Sequence, residues 1–237
     1  KIFFYWEYSI LIIRIIYIKD KANLDKRRKK AGLEPFSEYY KIMTEKQGAG
    51  RMNHEYHIRR AKKEDLKHIK MLQEENMANR VSDADKAKEG FVSLETDIPL
   101  LSKIQKHIGI IVAEFNGKIV GYELPLPIPL AKKMPFLVPL VKRYMRLKFN
   151  RKPLLKYKTI LEGQICIDKS HKGKGVAEKM HKAFLELLNG KYQLLVTEVS
   201  DLNQRSLKAH TQKLGLSVLE TYSADEKKWY ILVQEIS

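Results

Sequence analysis

The stretch from Gln164 to Met180 (QICIDKSHKGKGVAEKM) runs from an apolar segment through a loop with Gly173 and Gly175 straight into a helical pattern. A strand that delivers a glycine turn to a helix N-terminus leaves several backbone N–H groups pointing outward, which suits a phosphate. The glycines let backbone approach an oxyanion closely, and Lys172 and Lys174 add positive charge. The plain alternative is an ordinary strand-to-helix turn. No Gly-Lys-Ser/Thr follows, which excludes a P-loop, and no G-x-G-x-x-G with a downstream acid argues for a dinucleotide site. Downstream, in Thr197 to Leu216 (TEVSDLNQRSLKAHTQKLGL), Asn203, Ser206 and His210 lie at i, i+3 and i+7, one stripe of a helix. Cys166 stands between two isoleucines and reads as small core packing rather than a nucleophile. His54 and His57 lack a third ligand in the sequence, so no metal is implied.

Hydrophobic periodicity supplies the elements that must position these residues. His54 to Arg60 reads as a strand and Lys63 to Met77 as a helix, with Leu66, Ile69 and Leu72 turned inward. Up to Lys106 the pattern is helical in pieces, with Pro99 near a helix start. His107 to Phe115 and Lys118 to Leu124 flank Asn116-Gly117, a strong hairpin signal. Residues 125 to 153 carry six of the eight prolines, and Phe136 to Phe149 reads as one short amphipathic helix. Ile160 to Ile167 is an apolar strand, Gly175 to Leu188 a helix closed by Asn189-Gly190, and Tyr192 to Val199 a strand. Asn203 to Leu214 is a helix stopped by Gly215, and Leu216 to Tyr222 and Trp229 to Ile236 are closing strands. The pattern is that of an α/β layered domain without internal repeats.

The first motif resembles motif A of the GCN5-related N-acetyltransferases, (Gln/Arg)-x-x-Gly-x-(Gly/Ala) after the fourth strand, with Lys172, Gly173, Lys174, Gly175, Val176 and Ala177 as the matching residues. Lys replaces the usual Gln or Arg, keeping charge but changing side-chain geometry. The second motif looks like motif B, and the resemblance covers Tyr56 to Ile236. It implies the acyl-CoA N-acyltransferase fold: a mixed, mostly antiparallel sheet of six to seven strands with helices on both faces. It also implies that residues 172 to 177 hold the pyrophosphate of acetyl-CoA and that Ile165, Cys166 and Ile167 pair with pantetheine. Asn203 and Ser206 would touch the cofactor. His210 stands where the family often has a Tyr that protonates the departing thiolate, and imidazole loses its proton more readily. Glu198, five residues before Asn203, matches a general-base position of some relatives, and Glu162 on the fourth strand competes for that role. The implied reaction is direct acetyl transfer from acetyl-CoA to a primary amine, without a metal. The rival reading is a catalytically silent acyl-CoA-binding or nucleic-acid-associated module.

Length and composition set the outer limits. The chain has 237 residues, 44% hydrophobic, with a net charge of +17 and one cysteine. That is enough for one sizeable core, too hydrophobic for disorder, and without a disulfide framework or multi-Cys cluster, which fits a reducing, cytoplasmic compartment. Residues 1 to 51 hold 12 basic and 6 acidic residues, and Pro127 to Lys158 holds ten basic and none acidic. The rest of the chain is therefore nearly neutral. The domain is expected over 52–237, with a basic, Pro-rich insert at about 127–158. Residues 1–51 read as an extension with two alternatives: non-native in origin or, from the apolar Phe3 to Ile18 run and the basic Lys26 to Lys30 run, a weak membrane-proximal segment. The expected acceptor is a small-molecule or peptide amine. An insert lining the acceptor cleft would favour an anionic amine and disfavour polyamines. Nucleic acid is not expected as a partner, and a homodimer is compatible with the reading.

Overall fold

Among the described residues, the strands and helices follow the apolar runs in chain order. The strands are β1 (His57–Arg60), β2 (Ile111–Phe115), β3 (Lys118–Pro127), β4 (Lys148–Phe149), β5 (Lys152–Pro153), β6 (Thr159–Ile167), β7 (Leu194–Ser200), β8 (Ser217–Ala224) and β9 (Lys227–Glu235). The helices are α1 (Asp65–Glu75), α2 (Ile98–His107), α3 (Ile128–Ala131), α4 (Val138–Tyr144), α5 (Val176–Leu188) and α6 (Gln204–Gln212). They belong to a computed structural model that describes residues 55–82, 86, 90–224 and 226–236, with parts of 23–38. The chain divides into two units, Lys1–Met52 and Asn53–Ser237. His54 and the Phe3 to Ile18 run lie outside the described residues. Among the described residues no helix is long and apolar enough to cross a membrane.

Seven strands form one sheet in the order β1-β2-β3-β6-β7-β9-β8, in which only β6 and β7 run parallel. Strand alternation sends Val112, Tyr122 and Leu124 to one face, where they meet Leu66, Ile69 and Leu72 of α1 and Leu101 and Ile104 of α2. Ile111, Ala113 and Val120 point to the other face, against Val176, Met180, Phe184 and Leu188 of α5. The expected mostly antiparallel sheet with helices on both faces is what the chain forms.

A polar knot fastens the first face. The Gln73 amide donates to Thr96 Oγ1 (2.9 Å) and Gln164 Oε1 (2.8 Å) and accepts from the Thr96 N–H (2.9 Å). The Tyr122 hydroxyl donates to the same Gln164 oxygen. Gln73 is fully buried, so Gln73→Leu leaves the Thr96 N–H unpaired. A loss of about 2–3 kcal/mol is expected in urea unfolding, with no change in slope.

Two elements differ from their sequence reading. The strand expected from His107 starts only at Ile111, because Asp97 caps α2 by accepting from the Leu100 N–H (2.8 Å) and the helix runs on to His107. Gly109, with φ of 113°, then turns the chain into β2. Phe136 to Phe149 is not one helix: a 3-10 turn at Pro135–Leu137 leads into α4, and Phe149 lies in the β4–β5 hairpin. Asn150 and Arg151 carry φ of 46° and 65° there, the left-handed pair that a two-residue hairpin turn requires. The same geometry at Asn116 and Gly117 closes β2 onto β3 as expected.

Candidate active site

The site begins where two strands part. β6 and β7 pair only over Thr159–Leu161 and Leu194–Val196, although both strands continue. At the fork the Thr197 hydroxyl donates to the Glu162 carbonyl (3.1 Å). Beyond it the β6 edge through Ile165, Cys166 and Ile167 has no ladder with β7 and borders a groove, which is the open edge an extended ligand chain would need.

A bulge decides which way Glu162 faces. Gln164 pairs with Leu124 and Glu162 with Pro125, so Gly163 is the extra residue. A Cβ there would lie 3.0 Å from Leu126 Cβ and 3.2 Å from the Leu124 carbonyl, so any other residue would push these neighbours back by a few tenths of an ångström. The bulge leaves Gln164 on the α1 face and turns Glu162 to the opposite face, toward α5 and α6.

The cofactor-side groove, about 360 Å³, is lined by Ile165, Cys166, Ile167, Lys172, Gly173, Gly175, Val176, Ala177, Asn203, Ser206 and His210. The structure thus gathers every cofactor residue expected from the sequence except Lys174, which lies within the same loop. Gly175 caps α5 in the left-handed conformation without a side-chain cap, so the first N–H groups of a 13-residue helix remain available. A Cβ built on Gly173 or Gly175 meets nothing within 4 Å; the space beside the loop is open, as a phosphate cradle must be. Asn203 is already engaged. Its side chain accepts from the Ser206 N–H (3.3 Å) as the α6 cap and donates to the Phe91 carbonyl (2.8 Å). Cys166 is buried, which pushes its thiol up to about 12 and keeps it protonated, consistent with packing.

A second cleft of about 420 Å³ lies on the other side of the fork and shares Ile165, Asn203, Ser206 and His210 with the first. Its walls include Phe136, Leu137, Leu140 and Tyr144 of the insert, with Glu162, Glu198, Tyr222 and Trp229 facing them. Tyr144 thus forms part of the cleft wall. Tyr157 lies elsewhere: it lines a separate cavity with Lys132 and Lys158 and packs edge-on against Phe149. Of the ten insert cations only Arg143 reaches the cleft, and Glu220 (3.1 Å) already pairs with it while the Tyr222 ring lies beneath it. The basic charge of the insert is largely on its outer surface.

The three candidate catalytic residues all line this cleft, in different states. Glu198 accepts from the Tyr222 hydroxyl, and burial pushes its carboxyl above the usual range, only partly offset by that bond and by Arg143. Glu162 and His210 form a buried pair, Oε2 to Nε2 at 2.9 Å. Burial would raise the Glu162 carboxyl, but His210 outweighs it and holds it low. Burial would lower the His210 pKa, but Glu162 raises it. His210 Nδ1 donates to the Ser206 carbonyl (2.7 Å) and lies 3.2 Å from Ser206 Oγ. Both ring nitrogens are thus occupied, and the hydroxyl beside the cofactor groove is that of Ser206.

Sequence reasoning missed Glu123 and His181. Glu123 interrupts the apolar run of β3, and His181 sits among the apolar residues of the α5 inner face; those breaks in pattern were the available signal.

The sequence profile of the Acetyltransferase (GNAT) family matches residues 81–216, more than half of the chain. No curated protein matches it. Among solved structures, an N-acetyltransferase from Staphylococcus aureus Mu50 shares 22% identity over 77% of this chain and 99% of its own, with a TM-score of 0.51. The yncA protein of Salmonella typhimurium, solved with its cofactor acetyl-CoA, shares 14% over 77% and 94%, with a TM-score of 0.51. A GNAT-family acetyltransferase from Streptococcus pneumoniae shares 17% over 77% and 100%, with a TM-score of 0.52. At these identities the likeness is one of fold.

Proposed function

Because the chain belongs to the GNAT acetyltransferase family, we propose that it transfers an acetyl group from acetyl-CoA to a primary amine by direct attack. The observation that carries this reading is the pair of clefts meeting at the β6–β7 fork, with a phosphate-type cradle on one side and two carboxylates on the other. The cosubstrate supplies an activated acetyl thioester. Residues 172–177 would bind its phosphates through backbone N–H groups, and the Ile165–Ile167 edge would hold its extended arm beside the fork.

The protein's own task is proton traffic. An ammonium must lose one proton before it attacks and a second as the amide forms, while the departing thiolate takes one back, so each turnover releases one proton. Glu198, partly exposed and raised by burial, takes the first from the entering ammonium. Glu162, deeper at the fork, takes the second. Ser206, which lines both clefts, passes one of these two protons on to sulfur, and the other leaves to solvent. Charge from His210, held as imidazolium by Glu162, favours the thiolate.

The acceptor this cleft suits is an amine with an apolar body, to lie on Phe136, Leu140 and Tyr144. Polyamines should be poor substrates, repelled by the exposed insert cations. The test has two parts. Acetyl-CoA at a hundredfold excess over its Kd should stabilise the chain by about 2.7 kcal/mol in thermal unfolding. Thiol release with an amine panel should then rank apolar primary amines above polyamines. Absence of stabilisation at saturating acetyl-CoA overturns the reading, and polyamines ranking first overturns the acceptor assignment.

A further inference from the structure

Behind the acceptor cleft four side chains stand in a row, His210, Glu162, Glu123 and His181, contributed by α6, β6, β3 and α5. They are 3%, 4%, 0% and 3% exposed, so the row is shut off from bulk solvent. The outer nitrogens of both rings are committed as donors. His210 Nδ1 gives its hydrogen to the Ser206 carbonyl (2.7 Å). His181 Nε2 gives its hydrogen to Gln234 Oε1 (2.8 Å), and the Gln234 amide is held that way round by donating to the Leu214 carbonyl (3.0 Å). The inner nitrogens face carboxylate oxygens, His210 Nε2 to Glu162 Oε2 at 2.9 Å and His181 Nδ1 to Glu123 Oε1 at 2.7 Å. Two lone pairs cannot face each other at those distances, so each edge carries a proton.

One place in the row remains. Glu123 Oε2 and Glu162 Oε1 are buried without a hydrogen-bond partner, and a ligand atom from each of Glu123, Glu162 and His181 lies within 4.8 Å of the others. Each carboxylate is compensated by its imidazole on the far side, but the two facing oxygens repel each other unless a cation sits between them. The spacing favours a proton. A zinc ion holding nitrogen and oxygen at about 2.0–2.1 Å each would spread them to roughly 3.3 Å, and the His181–Glu123 contact is shorter.

We infer that Glu123 and Glu162 share one proton across this edge, and that Glu123, fixed by His181, is a positioning residue that makes Glu162 a competent acceptor for the amine's proton. The inference rests on the reading of Glu162 as a cleft base. When the edge is empty, Glu162 can take the proton from the cleft side and the neighbouring carboxylate stabilises it in place; when the edge is full, Glu162 cannot. The charged groups bearing on the pair are His181 from α5 and His210 from α6. Glu123 is pushed up to about 8 by burial, against the opposing pull of His181, so the edge empties in the range where a base must work.

Infrared spectroscopy of the purified full chain reads the shared proton directly, without any acceptor. The carbonyl stretch of a protonated carboxyl should persist at about pH 6–7, where ordinary carboxylates are ionised, and disappear as pH rises through about 8. Glu123→Gln and Glu162→Gln each remove one of the like charges, so each should move that loss to lower pH by about one unit or more. In acetyl transfer to the best amine of the panel, the rising limb of kcat should move with the band in Glu123→Gln, while KM for acetyl-CoA stays unchanged. A chain that shows the band but transfers no acetyl group sinks the proposed function and leaves the shared proton standing. A band missing from the wild-type chain at neutral pH, a band unmoved in both variants, or one equivalent of tightly held transition metal on elemental analysis overturns the inference.

Discussion

Glu162→Ala is expected to cost the domain about 3–5 kcal/mol in chemical unfolding, because it leaves the His210 ring buried opposite nothing. Removing both partners is a different matter. Glu162→Met with His210→Leu deletes the pair and keeps the volume, so the double variant should lie within about 2 kcal/mol of the wild type, and the cycle should show strong coupling. Additive losses would mean that the two side chains do not act as a pair. Glu123 tempers the single-variant loss, since it no longer faces a like charge. The loss should also depend on pH with a definite sign. His210 is raised in the folded state, so its contribution is complete below its unfolded value near 6.5 and fades as pH rises through the folded value. Glu162 is lowered, so its contribution is complete above its unfolded value near 4.5 and fades as pH falls. The cost of Glu162→Ala is therefore greatest between about pH 4.5 and 6.5 and smaller on either side.

The second buried pair bends the same curve. His181 is raised to about 9: burial opposes its charge, but Glu123 prevails. That stabilisation, present below about 6.5, is lost as pH climbs toward 9. Glu123, raised by burial, binds its proton more tightly folded than unfolded, and this also loses stability as pH rises toward about 8. Both effects act in one direction, so the wild-type domain should weaken steadily from neutral to mildly alkaline pH.

What could be read from the sequence followed local pattern. Gly173 and Gly175 before an amphipathic run announce a turn into a helix start, and both glycines are left-handed there, with no side-chain cap on the helix. Asn116-Gly117 announced its hairpin because both residues tolerate the left-handed turn. Phe149 was misplaced because the turn after it uses Asn150 and Arg151, and arginine gives no such signal. The inner site was hidden for a different reason. By strict alternation Glu162, Gln164 and Cys166 would share one face of β6. The bulge at Gly163 breaks that alternation, and a single glycine in an apolar strand does not say whether it is a bulge or packing. Without the bulge Glu162 would meet Gln73 and α1; with it, Glu162 meets His210 and Glu123. The row of four ionisable groups thus depends on a non-local register that no window of sequence contains.

Gly175→Val should weaken acetyl-CoA binding by about a hundredfold while leaving the domain folded. Two effects add. The residue has φ of 74°, where a β-branched side chain is strained by about 1–3 kcal/mol, so the loop will relax and turn its N–H groups away. Nothing in the protein stands within 4 Å of the added Cβ, so the new side chain projects into the open space of the groove, where the phosphates are to lie. Losing one or two charge-assisted bonds of about 1.5–3 kcal/mol each accounts for the hundredfold weakening. Gly163→Ala makes the informative control. Its Cβ meets Leu126 and the Leu124 carbonyl inside the sheet, so it should lower stability and disturb Glu162 without touching the phosphate cradle. Calorimetric titration with acetyl-CoA, beside thermal unfolding of both variants, separates the two. If Gly175→Val binds as the wild type does, the loop before α5 is an ordinary turn, and the cofactor must be held elsewhere.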